Sequence, residues 1–172
     1  MNDFAEWLST TAPSMFIRSH QVWTIPAIQS VHILAIGVVM GSVFLMSLRI
    51  FGLAGMDQTV RQINRRFSPW LIWGLWVLAA SGLLLIVGEP ARELITFSFW
   101  AKMTLLVAAI AIAASFVVTV KKHETAWDEQ LAKRAWVKMM AAVTLVIWFA
   151  IILLGRLIAY DYVWGALSPA PR

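Results

Sequence analysis

No cysteine occurs among the 172 residues, which excludes disulfides, thiolate-bound metals and thiol nucleophiles together. Charge is also scarce: 13% of residues are Asp, Glu, Lys or Arg, whereas 60% are hydrophobic and the mean hydropathy is +0.76. A water-soluble domain of this size could not cover so much apolar surface with so few polar groups. Short alternating apolar and polar segments are missing, which removes a transmembrane barrel. There are no repeats or low-complexity tracts. The N-terminal stretch MNDFAEWLSTTAPSMF lacks the basic start and compact apolar core of a signal peptide, so the first span is expected to double as the insertion signal.

Long apolar runs are what the chain has in abundance. Four of them, at residues 24–48, 68–88, 97–120 and 138–160, each approach the ~20 residues that cross a ~30 Å hydrocarbon layer as a helix. The expectation is an all-α integral membrane four-helix bundle, one domain over residues 1–172, with an N-terminal amphipathic segment. In that segment Phe4, Trp7, Leu8, Met15 and Phe16 can dip into the interface. The linker KKHETAWDEQLAKRAW is charged and helix-permissive, and the tail SPAPR reads as loose.

The net charge of +5 is explained by topology rather than by nucleic acid. Arg49, Arg61, Arg65 and Arg66 fall in the first loop, and Lys121, Lys122, Lys133, Arg134 and Lys138 in the third; the second has only Arg92, between Glu89 and Glu93. By the positive-inside rule, loops one and three face the cytoplasm and both termini lie outside, in a bacterial inner membrane.

Against this background His32 stands out, since an ionisable side chain inside a membrane span is a functional-site candidate by default. Spans one and three run inward and span four outward. That ordering puts His32, Lys102 and Arg156 in the outer half. Each has a structural alternative: Lys102 and Arg156 could snorkel to headgroups, and His32 could hydrogen-bond a Ser or Gln across helices. Gln29, one turn before His32, is either such a partner or a lining residue. His20 lies ~18 Å away along a continuous helix, so the two histidines share one small ion only if the helix breaks at Pro26. His123, among lysines, reads as solvated. Gly37 and Gly41, Gly74, Ser81 and Gly82, and the alanines of the third run let helices approach closely.

An axial histidine, nearby cations and apolar helix walls suit haem, with neutral imidazole on the iron and Lys or Arg on the propionates. Lys102 is then either a second axial ligand or a propionate partner. The stretch QSVHILAIGVVMGSVFLMSLRIFGL resembles the first helix of the HemJ-type protoporphyrinogen oxidases and of the related CopD-like four-helix membrane proteins. FWAKMTLL is similar to their third-helix pattern, and RRFSPWLIWGLWVLAASGLLL to their second in style. The resemblance covers about residues 25–160 in architecture and suggests a bacterial branch of that superfamily. It implies that His32 and Lys102 serve haem b binding and activity, and that Arg49 and the Arg65/Arg66 pair matter at the cytoplasmic end. The chain departs from the pattern in its longer N-terminal segment, in the charges Glu89, Arg92 and Glu93, and in lacking the His and Tyr that often follow the third helix; these bear on the oxidase activity more than on the haem.

Three functions follow as expectations. The first is a haem b redox protein, in electron transfer with a quinone or a redox partner protein or in porphyrinogen oxidation, with His32 as axial ligand and Lys102, Arg156 and Gln29 around the cofactor. The second is a copper transport component with Met40, Met46 and Met103 as soft ligands. The third is a cofactor-free assembly subunit in which His32 is only a packing hydrogen-bonder; a homo-oligomer is compatible with all three.

Overall fold

The computed structural model describes residues 2–122 and 135–160, with the side chains of residue 2 and residues 116–122 outside that description. His123, Lys133, Arg134 and the SPAPR tail therefore lie outside the described residues. Within them the chain forms seven helices: α1 (Asn2–Ser9), α2 (Ala12–Ser19), α3 (Gln21–Phe51), α4 (Val60–Gly88), α5 (Pro90–Leu94), α6 (Phe97–Lys122) and α7 (Ala135–Leu157). Four of these, α3, α4, α6 and α7, are long and apolar enough to cross a membrane. The protein is an all-α multi-pass membrane bundle.

The spanning helices are longer than the apolar runs that announce them, because polar ends continue the helix beyond the hydrocarbon. Arg49 lies in the last turn of α3, and Arg61, Arg65 and Arg66 in the first turns of α4, so the basic residues expected in a loop sit on helix ends. The connection itself is only residues 52–59. Gly52 takes φ +76°, and the amides of Gly52 and Leu53 reach back to the carbonyls of Arg49 and Leu48 in a Schellman closure. Thr59 and Gln62 then form a reciprocal capping box that starts α4. α3 runs unbroken through Pro26, which lies near its beginning, where few intrahelical bonds are lost.

Among the described residues, α3 packs most closely on α4 and α6 on α7, and the two hairpins join through α3 and α7. Between α4 and α6 the described residues show no comparable helix-to-helix packing. At one end α1, α2 and α5 form a roof. Ala5, Leu94, Phe99 and Ile158 make a cluster there that ties α1 and α5 to α6 and the end of α7. The amphipathic segment is thus two short helices: Phe4, Trp7, Met15 and Phe16 are exposed, while Leu8 packs on the roof cluster and Ile17 is buried.

The α3–α4 seam has a simple register. Built onto Gly88, a Cβ would meet Ile25 at 2.8 Å, and onto Gly74, Val39 at 2.6 Å; between these levels His32 meets Ser81 at 2.8 Å. Each level is seven residues from the next on both helices, about 10 Å of rise. Small residues on α4 thus face larger ones on α3, as close packing in lipid requires. Gly37 and Gly41, expected to pack in the same way, have no atom of the described residues within 4 Å of an added Cβ.

Candidate functional site

The α6–α7 pair keeps its own antiparallel offset. Phe99 and Ile158 share the roof cluster, Lys102 lies against Gly155, and Ala109 and Trp148 share the central core. That core also contains Val39, one heptad below His32, just as Ala109 is one heptad below Lys102. His32 and Lys102 therefore stand at one depth on different hairpins, and the charge of Lys102 is felt at the imidazole. Val39 and Ala109, both wholly buried, and Trp148, 3% exposed, close the floor beneath them. The Trp148 indole N–H has no hydrogen-bond partner there among the described residues.

Donor counting at Ser81 assigns the proton on Nδ1 of the imidazole. Ser81 Oγ lies 2.6 Å from the Val77 carbonyl and 2.8 Å from His32 Nδ1. A carbonyl only accepts, so the single hydroxyl proton goes to Val77 and the hydroxyl oxygen accepts from Nδ1–H. In the neutral ring this leaves Nε2 without a proton, and its lone pair has no hydrogen-bond partner among the described residues. A histidine held through its other nitrogen is the usual form of a metal-ligating imidazole. Beside it, Gly82 keeps space open: a Cβ there would lie 3.6 Å from His32 Cε1 and meet nothing else within 4 Å.

Lys102 reaches Gly155, whose added Cβ would sit 3.7 Å from Nζ. A carboxylate absent from the sequence-based site is also present: Glu93, half-buried on α5, lies within electrostatic reach of Lys102. Burial pushes the Glu93 carboxyl above its ordinary range; Lys102 and Arg92 oppose that shift and Glu89 adds to it. Its neighbours Arg92 and Glu89 are paired with each other at 2.8 Å.

The other residues singled out from the sequence have these surroundings. Arg156 is exposed; its guanidinium lies 5.4 Å from the Tyr160 ring centroid, and it is Gly155 that faces Lys102. Gln29 remains half-buried on α3, and among the described residues no hydrogen bond ties it to His32, whose partner is Ser81. His20 ends α2, exposed, with Nδ1 2.9 Å from Ser19 Oγ; the unbroken α3 keeps it from His32. Met40, Met46 and Met103 occupy three environments: the central core, a small cavity near the 52–59 connection lined also by Arg49 and Asn64, and the roof cluster. The sequence signal that could have found Ser81 is the seven-residue spacing Gly74, Ser81, Gly88.

A family model described as a family of unknown function (DUF6644) matches residues 4–161. No curated protein and no solved structure matches the chain.

Proposed function

This chain belongs to the DUF6644 family, and on that premise we propose that it is a haem b-binding redox protein of the bacterial inner membrane. The observation that carries the reading is the His32–Ser81–Val77 chain, which leaves Nε2 without a proton inside the bundle. The donor set fits the group: an oriented imidazole, an apolar floor, and a cation at the same depth. When bound, haem would supply one-electron chemistry to a quinone or a protein partner, or porphyrinogen oxidation. His32 binds the iron, Ser81 holds the ring, and Gly82 keeps access to it. Lys102, at the same depth as His32, would serve either as a partner for propionates or as a second axial ligand. The topology belonging to this reading has both termini outside, with the roofed end facing out and the arginines of α3 and α4 in the cytoplasm.

Spectra of the detergent-solubilised protein, oxidised and dithionite-reduced, test the reading. A Soret band lost in His32→Ala is the expected result. A colourless protein from haem-sufficient cells refutes it.

The His32–Ser81 bond equally suits the reading in which His32 is only an interhelical hydrogen-bonder in a cofactor-free subunit. That reading predicts a colourless protein that Ser81→Ala destabilises. Copper bound without haem would support transport instead.

A further inference from the structure

The end of the bundle away from the roof holds a cation that the haem reading does not use. The α3–α4 register that sets His32 against Ser81 continues to the 52–59 connection, where it sets Arg49 against Asn64. Both line one crevice, whose remaining wall is apolar: Met46, Ile50, Val60 and Ile63. α3 is 31 residues long, about 46 Å at ~1.5 Å per residue, against a ~30 Å hydrocarbon layer, so Arg49 in its last turn reaches the level of lipid phosphates.

Arg49 is held at that crevice. Its Nε–H donates to the Gln58 carbonyl at 2.6 Å and its Nη1 lies 3.8 Å from Met56 Sδ, so neither of its partners among the described residues is an anion. Across the crevice, Asn64 accepts from Ser68 through Oδ1 at 2.8 Å, and its amide N–H groups donate to nothing among the described residues. The surroundings are cationic. Residues 49–66 contain four arginines and one acid, and residues 121–138 five cations and three acids. Arg65 follows Asn64 and is exposed; Lys138, also exposed, follows Val137, which shares a cluster with Ile50.

We propose that this crevice binds an anionic phospholipid, its phosphate on Arg49 and the Asn64 amide and the start of an acyl chain along the apolar wall. A guanidinium offers a phosphate a fixed fork of donors, and the Gln58 carbonyl on Nε sets the direction of that fork. Arg65 and Lys138 repel a headgroup that carries its own cation, so the site selects against zwitterionic lipids. If Arg49 served only to tether the connection, no lipid preference would depend on Asn64. The site is independent of the haem reading.

The test uses the purified full chain, delipidated in non-ionic detergent, titrated with phosphatidylglycerol or phosphatidylcholine and followed by native mass spectrometry. Wild type should bind phosphatidylglycerol about tenfold more tightly than phosphatidylcholine. Asn64→Asp keeps the side-chain shape and the acceptor for Ser68 but sets a carboxylate before Arg49, and the preference should disappear. Should Asn64→Asp fail to fold, Arg65→Gln supplies the measurement, with the preference reduced about threefold.

Equal affinity of wild type for the two lipids overturns the proposal, as does a preference that Asn64→Asp, or Arg65→Gln in its place, leaves unchanged. Displacement of phosphatidylglycerol by millimolar inorganic phosphate would identify an ion site and overturn the lipid assignment.

Discussion

Replacing Gly74 by Ala tests the register on which the whole site depends. The new Cβ would lie 2.6 Å from Val39 Cγ2, and 3.4 Å is where ordinary contact begins, so the two atoms must separate by about 0.8 Å. Val39 cannot readily turn away, because a β-branched side chain in a helix is confined to one χ1 rotamer, and its backbone amide already lies 3.6 Å from the same position. α3 and α4 must part instead. If they separate evenly, the His32–Ser81 contact one heptad above lengthens from 2.8 Å to about 3.6 Å, beyond hydrogen-bond range. Overpacking of this kind costs about 1–3 kcal/mol, against a gain of up to ~1 kcal/mol in helix propensity. Unfolding by SDS, followed by circular dichroism, should show Gly74→Ala destabilised. Adding Val39→Ala should recover part of the loss, with a coupling of about 0.5–3 kcal/mol. A Gly74→Ala protein as stable as wild type, with no coupling to position 39, would refute the register and the placement of His32 against Ser81.

Ser81→Ala removes the acceptor of His32 Nδ1–H while keeping the small side chain the seam requires; haem retention should fall about 10–100-fold, and unchanged retention would mean that Ser81 does not orient the ring. Glu93 gives a pH signature: because its carboxyl lies above the ordinary value of 4.5, the folded state holds the proton more tightly than the unfolded one. Stability then falls as pH rises from about 4.5 through the raised value. Thermal unfolding across that window should show this slope in wild type and lose it in Glu93→Gln; equal slopes would place the titration elsewhere. A reporter fused after Arg172 should be active only outside the cytoplasm, and cytoplasmic activity would invert the proposed topology.

The four spans were legible because hydrocarbon thickness and the cost of polar groups act on each segment by itself. The 52–59 connection was not located within the expected first loop, since an arginine is as stable on the end of a helix as beyond it. Gly37 and Gly41 show where the sequence misleads. Their spacing equals that of packing glycines elsewhere, yet an added Cβ on either meets nothing among the described residues, whereas Gly74, Ser81 and Gly88 form the seam at a wider interval.

By itself the sequence determined how many helices cross, roughly where, and that His32 and Lys102 interrupt apolar runs at comparable depth. Only the tertiary structure decided which faces meet. It paired His32 with Ser81 rather than Gln29, turned Gly155 rather than Arg156 toward Lys102, and brought Glu93 within reach of that lysine. The reason is that in lipid every face of a helix can be apolar, so hydropathy does not choose an interface. Shape does, through the fit of small residues against large ones, and that fit exists only once two helices are side by side.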